Sequence, residues 1–358
     1  MNDDFDFDIV DKDSISPEQV AEIIDEMGRI DLKPCTHYLS TGCTILDLAI
    51  AGRLPGGFGG GRISHIYGGE STAKTILVCE ILGSAQRQGG MAYFGDAEHT
   101  FDWQRACLFG LDTEKNFEYH VPTCIENMFD DIIGKKILKK RKEVSLPAAI
   151  GEDSITALPS IVEIDGDMTK PGYGGSRAKA FGLGFRKYVK ELSQKNTALI
   201  LVDQERQDIN VQFGDKGTFS GGKAVRFYAS TRVQLKHVGQ VKNSKKIVIG
   251  VELAFRVKKN KIAPPFRSGK FRVLFDYGID DISTSLLWLK EWDKEQYKKL
   301  DEENKGYVFG DTHIVALTGM VKFIEEGHLE KELRNRVQLV WNDVHKASER
   351  CEKIRWDG

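Results

Sequence analysis

The chain has 358 residues, 29% of them charged and 41% hydrophobic, with a formal net charge of −2. That length accommodates one large α/β core with a smaller domain, and no apolar run approaches the ~20 residues of a membrane helix. The six cysteines are scattered without a C-x-x-C pair, which argues against a zinc site or disulfide framework and fits reduced thiols in a cytoplasmic protein.

The near-neutral total hides an asymmetry. Residues 223–272 hold fourteen Lys/Arg against the single acid Glu252, a local charge of +13 that leaves −15 for the remainder. Residues 1–31 hold eleven Asp/Glu against Lys12 and Arg29. Such a chain offers a basic surface to a polyanion, or associates through unlike faces.

In chain order, residues 1–15 are acidic and resemble neither a secretory signal nor a transit peptide. The alternation Phe5-Asp6-Phe7-Asp8-Ile9 suits strand addition to a partner's edge. Ser16, Pro17 and Gln19 read as N-cap, first-turn proline and capping-box residue of a short helix striped by Val20, Ile23, Ile24 and Met27. Residues 1–35 thus form a packing or oligomerisation arm. The run 39–47 leads into a glycine-dense stretch, 52–61, that precedes its strand. A dinucleotide fingerprint would follow one, so a hairpin or turn is expected.

Next comes a strand-like run, 62–67, then Gly68-Gly69-Glu70-Ser71-Thr72-Ala73-Lys74-Thr75, then a helical pattern over 75–86. Strand, small-residue loop, Lys-Thr and helix make the layout of a phosphate-cradling P-loop. Loop N–H groups wrap phosphate oxygens and the helix N-terminus adds about half a positive charge. Lys74 is placed for the β- and γ-phosphates and the Thr75 hydroxyl for Mg²⁺. Ala73 stands where the motif wants glycine. If that slot needs positive φ, its Cβ costs roughly 1–2 kcal/mol.

Beyond the loop, the short strand 91–94 runs to Asp96-Ala97-Glu98-His99, and a helix covers 102–109. Residues 135–142, with six basic side chains, end a helix with a solvated face. The strand 146–150 leads to Glu152-Asp153-Ser154. A Gly- and charge-rich loop covers 165–177, a helix 178–194, and a buried strand 198–202 ends at Asp203-Gln204. Residues 205–222 lack apolar periodicity and contain four glycines, a long loop of the kind that carries function. Strands over 227–235, 247–258 and 271–275 form a basic antiparallel segment. After 278 helix and short strand mix, and Leu329, Leu333, Val337, Trp341 and Val344 stripe a final helix.

Strands alternating with helices, carrying polar residues at their C-terminal ends, predict an α/β fold with a mostly parallel, doubly wound sheet. Residues 36–278 are its core, extended by the antiparallel basic segment, and 279–358 a small α/β C-terminal domain. In a P-loop enzyme one acid holds the Mg²⁺ shell and another group positions or deprotonates water. Asp153 suits the first task and Glu98 the second. No G-x-S-x-G elbow or H-E-x-x-H occurs, and the eight histidines are dispersed.

From Ser40 to Phe275 the chain resembles the RecA-family homologous-recombination recombinases. The likeness rests on Ser40-Thr41-Gly42, Ile66-Tyr67-Gly68-Gly69-Glu70-Ser71, Asp96-Ala97-Glu98-His99 and Asp153-Ser154-Ile155-Thr156-Ala157-Leu158. Further on it rests on Asp203-Gln204, Ser220-Gly221-Gly222-Lys223-Ala224, Arg226-Phe227-Tyr228-Ala229-Ser230 and Lys259-Asn260-Lys261-Ile262-Ala263. The resemblance implies a RecA-like P-loop ATPase core, a DNA-dependent ATPase using ATP and Mg²⁺. It also implies polymerisation on single-stranded DNA as a helical filament, with homologous pairing, strand exchange and capture of duplex DNA. Glu98 is then the catalytic glutamate and Gln204 the γ-phosphate sensor coupled to the DNA loop. Asp102 and Arg105 fall at the adenine contact, where a tyrosine is usual at the second position and Arg105 would stack by its guanidinium. Lys259 and Lys261 would reach ATP on the neighbouring protomer. The two loops become DNA loops, with Arg177, Lys179 and Arg186 serving the first. Arg206, Gln207, Ile209, Gly221, Gly222, Lys223 and Arg226 serve the second: the cations for phosphates, the glycines for close approach, Ile209 as a wedge between bases.

Departures are Ala73, Asp203 in place of asparagine, and Gly151-Glu152 within a strand that is apolar elsewhere in the family. They fit a divergent, phage-borne member acting in the bacterial or infected-host cytoplasm. Two other readings stay open, a ring-shaped RecA-fold DNA motor and an ATP-switched DNA-binding scaffold with weak hydrolysis.

Overall fold

The computed structural model describes residues 35–166, 175–207, 217–218, 222–297 and 306–346. The expected N-terminal strand and helix, over 5–9 and 16–28, lie outside them. Strand β1 (Tyr38–Leu39) pairs antiparallel with β2 (Phe58–Gly59) across an intervening helix, α1 (Thr44–Ala51), so the glycine-dense stretch 52–61 forms turns around β2 and not a hairpin of its own. All eight residues of α1 are buried. With no polar face there is no amphipathic period to read, so the sequence does not announce this helix.

Strand β3 (Ile63–Gly68) enters the loop and α2 (Lys74–Arg87) leaves it, burying Leu77, Val78, Ile81, Leu82 and Ala85 at helical spacing. Then come β4 (Met91–Asp96), α3 (Trp103–Leu108) and β5 (Phe117–His120), an edge strand absent from the sequence reading. Helix α4 (Asn127–Leu138) is wound with i→i+5 bonds, as in Lys139 N to Gly134 O at 2.9 Å. Next are β6 (Ala148–Asp153), the single turn α5 (Ile161–Ile164), α6 (Ser176–Gln194) and β7 (Thr197–Gln204). The two-residue strands β8 (Arg206–Gln207) and β9 (Gly217–Thr218) pair within the long loop.

Helix α7 (Gly222–Tyr228) precedes β10 (Thr231–Lys242). The strand expected from 227 therefore starts later. Phe227 and Tyr228 favour β structure, yet α7 packs on α6 and buries Val225, and that contact overrides the preference. The basic segment continues as β11 (Val248–Asn260), β12 (Ser268–Leu274) and β13 (Gly278–Asp280). The C-terminal part holds α8 (Asp281–Trp292), α9 (Lys294–Tyr297), β14 (Tyr307–Phe309), β15 (Thr312–Ile314), α10 (Leu317–Glu326) and α11 (Glu330–Val344).

Nine strands form one sheet in the order β13-β12-β11-β10-β3-β7-β6-β4-β5. From β10 to β5 every pairing is parallel, and β10 to β13 is antiparallel. Helices cover both faces. On one, α1 and α2 share a cluster with Phe255, Phe271 and Val273, and Leu333, Val337 and Trp341 of α11 join it. On the other, Phe129 of α4 and Phe181 and Phe185 of α6 cover Ile150, Leu199 and Leu201. The C-terminal ends of β3, β4, β6 and β7 emerge side by side, where ligands bind in open α/β sheets.

Candidate active site

Past β3 the chain turns through Ser71 at φ 55° and Ala73 at φ 56°. The slot filled by Ala73 therefore does require left-handed backbone, and its Cβ costs about 1–2 kcal/mol there. Gly68 is required for space, since a Cβ would sit 2.4 Å from Leu235 O of β10. Lys74 Nζ folds over the loop, donating to Gly69 O at 2.6 Å and to Gly68 O and Thr72 Oγ1 at 3.3 Å. Burial pulls its ammonium below the ordinary lysine value, against the opposing charges of Asp153 and Glu98.

Three strand ends converge on this loop. Thr75 Oγ1 donates to Asp153 Oδ2 at 2.5 Å, and burial pushes the Asp153 carboxyl up to about 6. A cation beside it would favour the ionised form. Hydroxyl plus carboxylate is a hard oxygen pair of the kind Mg²⁺ takes alongside phosphate oxygens. Among the described residues no group of three or more His, Cys, Asp or Glu could hold a metal by itself. Glu98 Oε1 accepts from Ser154 Oγ at 2.5 Å and Gln204 Nε2 at 3.3 Å. Its position is set by buried Asp96, which accepts the N–H groups of Glu98, Thr100 and Phe101 and the Tyr119 hydroxyl.

The cavity between these groups measures about 450 Å³ and is lined by Glu70 to Thr75, Glu98, Asp102, Arg105, Asp153 and Gln204. Its far wall is apolar, made by Phe101, Phe109, Val251, Val273 and Phe275. Asp102 Oδ1 accepts Arg105 N at 3.0 Å and caps α3, while the Arg105 guanidinium lies 5.6 Å from the Phe109 ring centre. Sequence reasoning assigns no role to Ser154 or the wall of Val251, Val273 and Phe275. Ser154 is signalled by its place directly after the strand-end acid, whereas the wall comes from strands that reach the site only through sheet topology. A larger cavity, about 650 Å³, lies between β12 and the C-terminal helices beside Trp288, Trp292 and Trp341, and no motif residue lines it.

Lys259 and Lys261 are not part of the nucleotide cavity. Lys259 Nζ donates to Arg226 O at 2.7 Å and Phe227 O at 2.8 Å, tying β11 to α7. Burial, with Lys261 and Arg232 nearby, lowers it to about 8. Lys179, Arg186 and Lys223 are exposed on α6 and α7. The two helices touch closely enough that a Cβ on Gly222 would lie 3.2 Å from Ala178 Cβ. The far ends of the two expected DNA loops are thus neighbours. Arg226 is partly buried on α7, and Arg177 turns inward, donating to Ile155 O at 2.7 Å and Thr156 O at 2.9 Å. Arg206 and Gln207 lie on β8, and Ile209 and Gly221 lie outside the described residues. Among those residues no helix is long and apolar enough to cross a membrane.

The sequence matches the model of the RecA N-terminal domain over residues 20–280. It is 36% identical over 247 residues to Protein RecA of Colwellia psychrerythraea, covering 68% of this chain and 67% of that one. With Protein RecA of Chlamydia trachomatis serovar L2 it shares 35% over 241 residues, 67% of this chain and 65% of the relative. The same protein of Syntrophobacter fumaroxidans is 36% identical over 241 residues, 67% of each. The match spans about two thirds of the length of these relatives, and the family-model match takes in all nine strands of the P-loop sheet. The chain belongs to the RecA family of recombinases.

Proposed function

We propose that the chain is an ATP-dependent recombinase that polymerises on single-stranded DNA, hydrolyses ATP there and exchanges homologous strands with duplex DNA. The observation that carries this is Gln204. Its amide holds Glu98 in the nucleotide cavity, and the next residue opens the long loop at 205–222. One side chain thus reports on the phosphates and moves the DNA-facing segment.

In this reading the loop N–H groups and Lys74 cradle the phosphates, exchanging the loop carbonyls that Lys74 now satisfies. Thr75 and Asp153 would hold Mg²⁺, which would supply charge neutralisation at the phosphate oxygens. Ser154 and Gln204 occupy Oε1 of Glu98 and leave its Oε2 to orient and deprotonate water. The adenine would rest against Phe275 and Val273, which line the same cavity as Arg105 and Asp102. Lys259 and Lys261 lie outside their own cavity and serve the ATP of the next protomer, so the nucleotide joins subunits into a helical filament. Lys179, Arg186, Lys223 and Arg226 meet DNA phosphates. Residues 279–358 form an accessory domain.

A second reading, an ATP-switched scaffold that hydrolyses weakly, is favoured by the left-handed Ala73. ATP turnover with and without single-stranded DNA, on a sample imaged for filaments, separates them. The recombinase shows DNA-stimulated turnover lost in Lys74→Ala and Glu98→Gln. Closed rings with unstimulated turnover would overturn it.

A further inference from the structure

A line of polar side chains crosses four adjacent strands on the α4–α6 face of the sheet. Thr156 Oγ1 accepts the Gln204 N–H at 2.9 Å and donates to Asp203 Oδ1 at 2.7 Å. Asp203 Oδ2 lies 3.5 Å from His65 Nε2, with both side chains fully buried. His65 Nδ1 accepts from Arg232 Nε at 3.3 Å. Tyr67 brackets this pair, stacked on His65 at 4.9 Å and lying 4.8 Å under the Arg232 guanidinium. His65, Arg232 and Lys259 are register partners on β3, β10 and β11. Charge inside a protein acts over such distances far more strongly than in water, and each member of a buried network depends on its neighbours.

We propose that His65 is a positioning residue that couples the phosphate-sensing Gln204 of one protomer to Lys259, the group the same protomer lends to the next site. This rests on the function proposed above. A shift of Gln204 toward the γ-phosphate moves its N–H and with it Thr156 and Asp203. The change in Asp203 is felt at His65 and then at Arg232, whose charge bears on Lys259. Through Arg177, which holds the Ile155 and Thr156 carbonyls, the same hub touches the start of α6 and the first loop. The sites of a filament would then share the state of their phosphates along the sheet, within each subunit. Coupling of this kind is read out by a double-mutant cycle.

The test is ATP turnover as a function of ATP concentration on saturating single-stranded DNA, for the full chain, His65→Gln, Lys259→Gln and the double variant. His65→Gln is expected to leave maximal turnover within about twofold, raise half-saturation about fivefold and bring the Hill coefficient to unity, a coupling of ordinary size. The double variant is expected to be no worse than Lys259→Gln alone. Effects that multiply, or cooperativity untouched in a folded His65→Gln protein, would overturn the proposal. Should His65→Gln fail to fold, Asp203→Asn keeps an acceptor for Thr156 and the same cycle decides. An unmutated chain without DNA-stimulated turnover would sink the recombinase reading itself, a separate outcome.

Discussion

Glu152 lies on β6 one residue before Asp153, fully inside the protein, and neither carboxyl oxygen has a hydrogen-bond partner among the described residues. Its register neighbours are Gly95 and Leu201, and a Cβ on Gly95 would come 2.1 Å from Glu152 Oε2, so the side chain lies over that glycine. Burial alone raises its carboxyl from 4.5 to about 8. The sign follows from linkage. Between those values the folded state holds a proton that the unfolded chain releases, so stability falls as pH rises, by about 1.4 kcal/mol per unit. The penalty is absent below 4.5, about 3 kcal/mol near pH 7, and complete above the folded value of about 8. Glu152→Met fills a similar volume without the charge. Urea unfolding of both proteins should give nearly equal stabilities around pH 5 and a growing advantage for the variant toward pH 8. A difference that stays constant across that range would refute the reasoning.

Ala73→Gly removes a left-handed Cβ and should raise stability by about 1 kcal/mol, seen as a small rise in melting temperature. If turnover measured on the same sample does not change, the main reason for the weak-hydrolysis scaffold disappears. Glu98→Gln should lower turnover by about 10²–10⁴ while ATP binding, followed with a fluorescent analogue, persists. Gly184→Ala places a Cβ 2.1 Å from the Phe129 ring and should destabilise by about 1–3 kcal/mol, whereas Gly182→Ala, with 3.9 Å of room, should be tolerated sterically. Affinity for single-stranded DNA should fall with salt at a log–log slope of about −0.7 per phosphate contacted, and a flat response would contradict the basic-surface argument.

The site was legible wherever its chemistry travels with local sequence. Lys74, Thr75, Glu98, Asp153 and Gln204 each follow an apolar strand run or open a helix, and all five line one cavity. The parallel sheet was legible for the same reason. Legibility failed where burial is complete or topology intervenes. Helix α1 has no exposed face, and the aromatic end of α7 resembles a strand until α6 is beneath it. Part of the apolar wall of the cavity, Val251, Val273 and Phe275, comes from β11, β12 and the residue after it, more than 170 positions from the P-loop. His65 and Asp203 are the sharpest case. In the sequence each is one polar letter inside a strand, and their 3.5 Å approach exists only because β3 and β7 are neighbours. Asparagine at 203 would satisfy the Thr156 hydroxyl as well as aspartate does. The carboxylate becomes intelligible only opposite an imidazole, and the imidazole only beside the Arg232 guanidinium, so the departure at 203 belongs to a set of three residues on three strands.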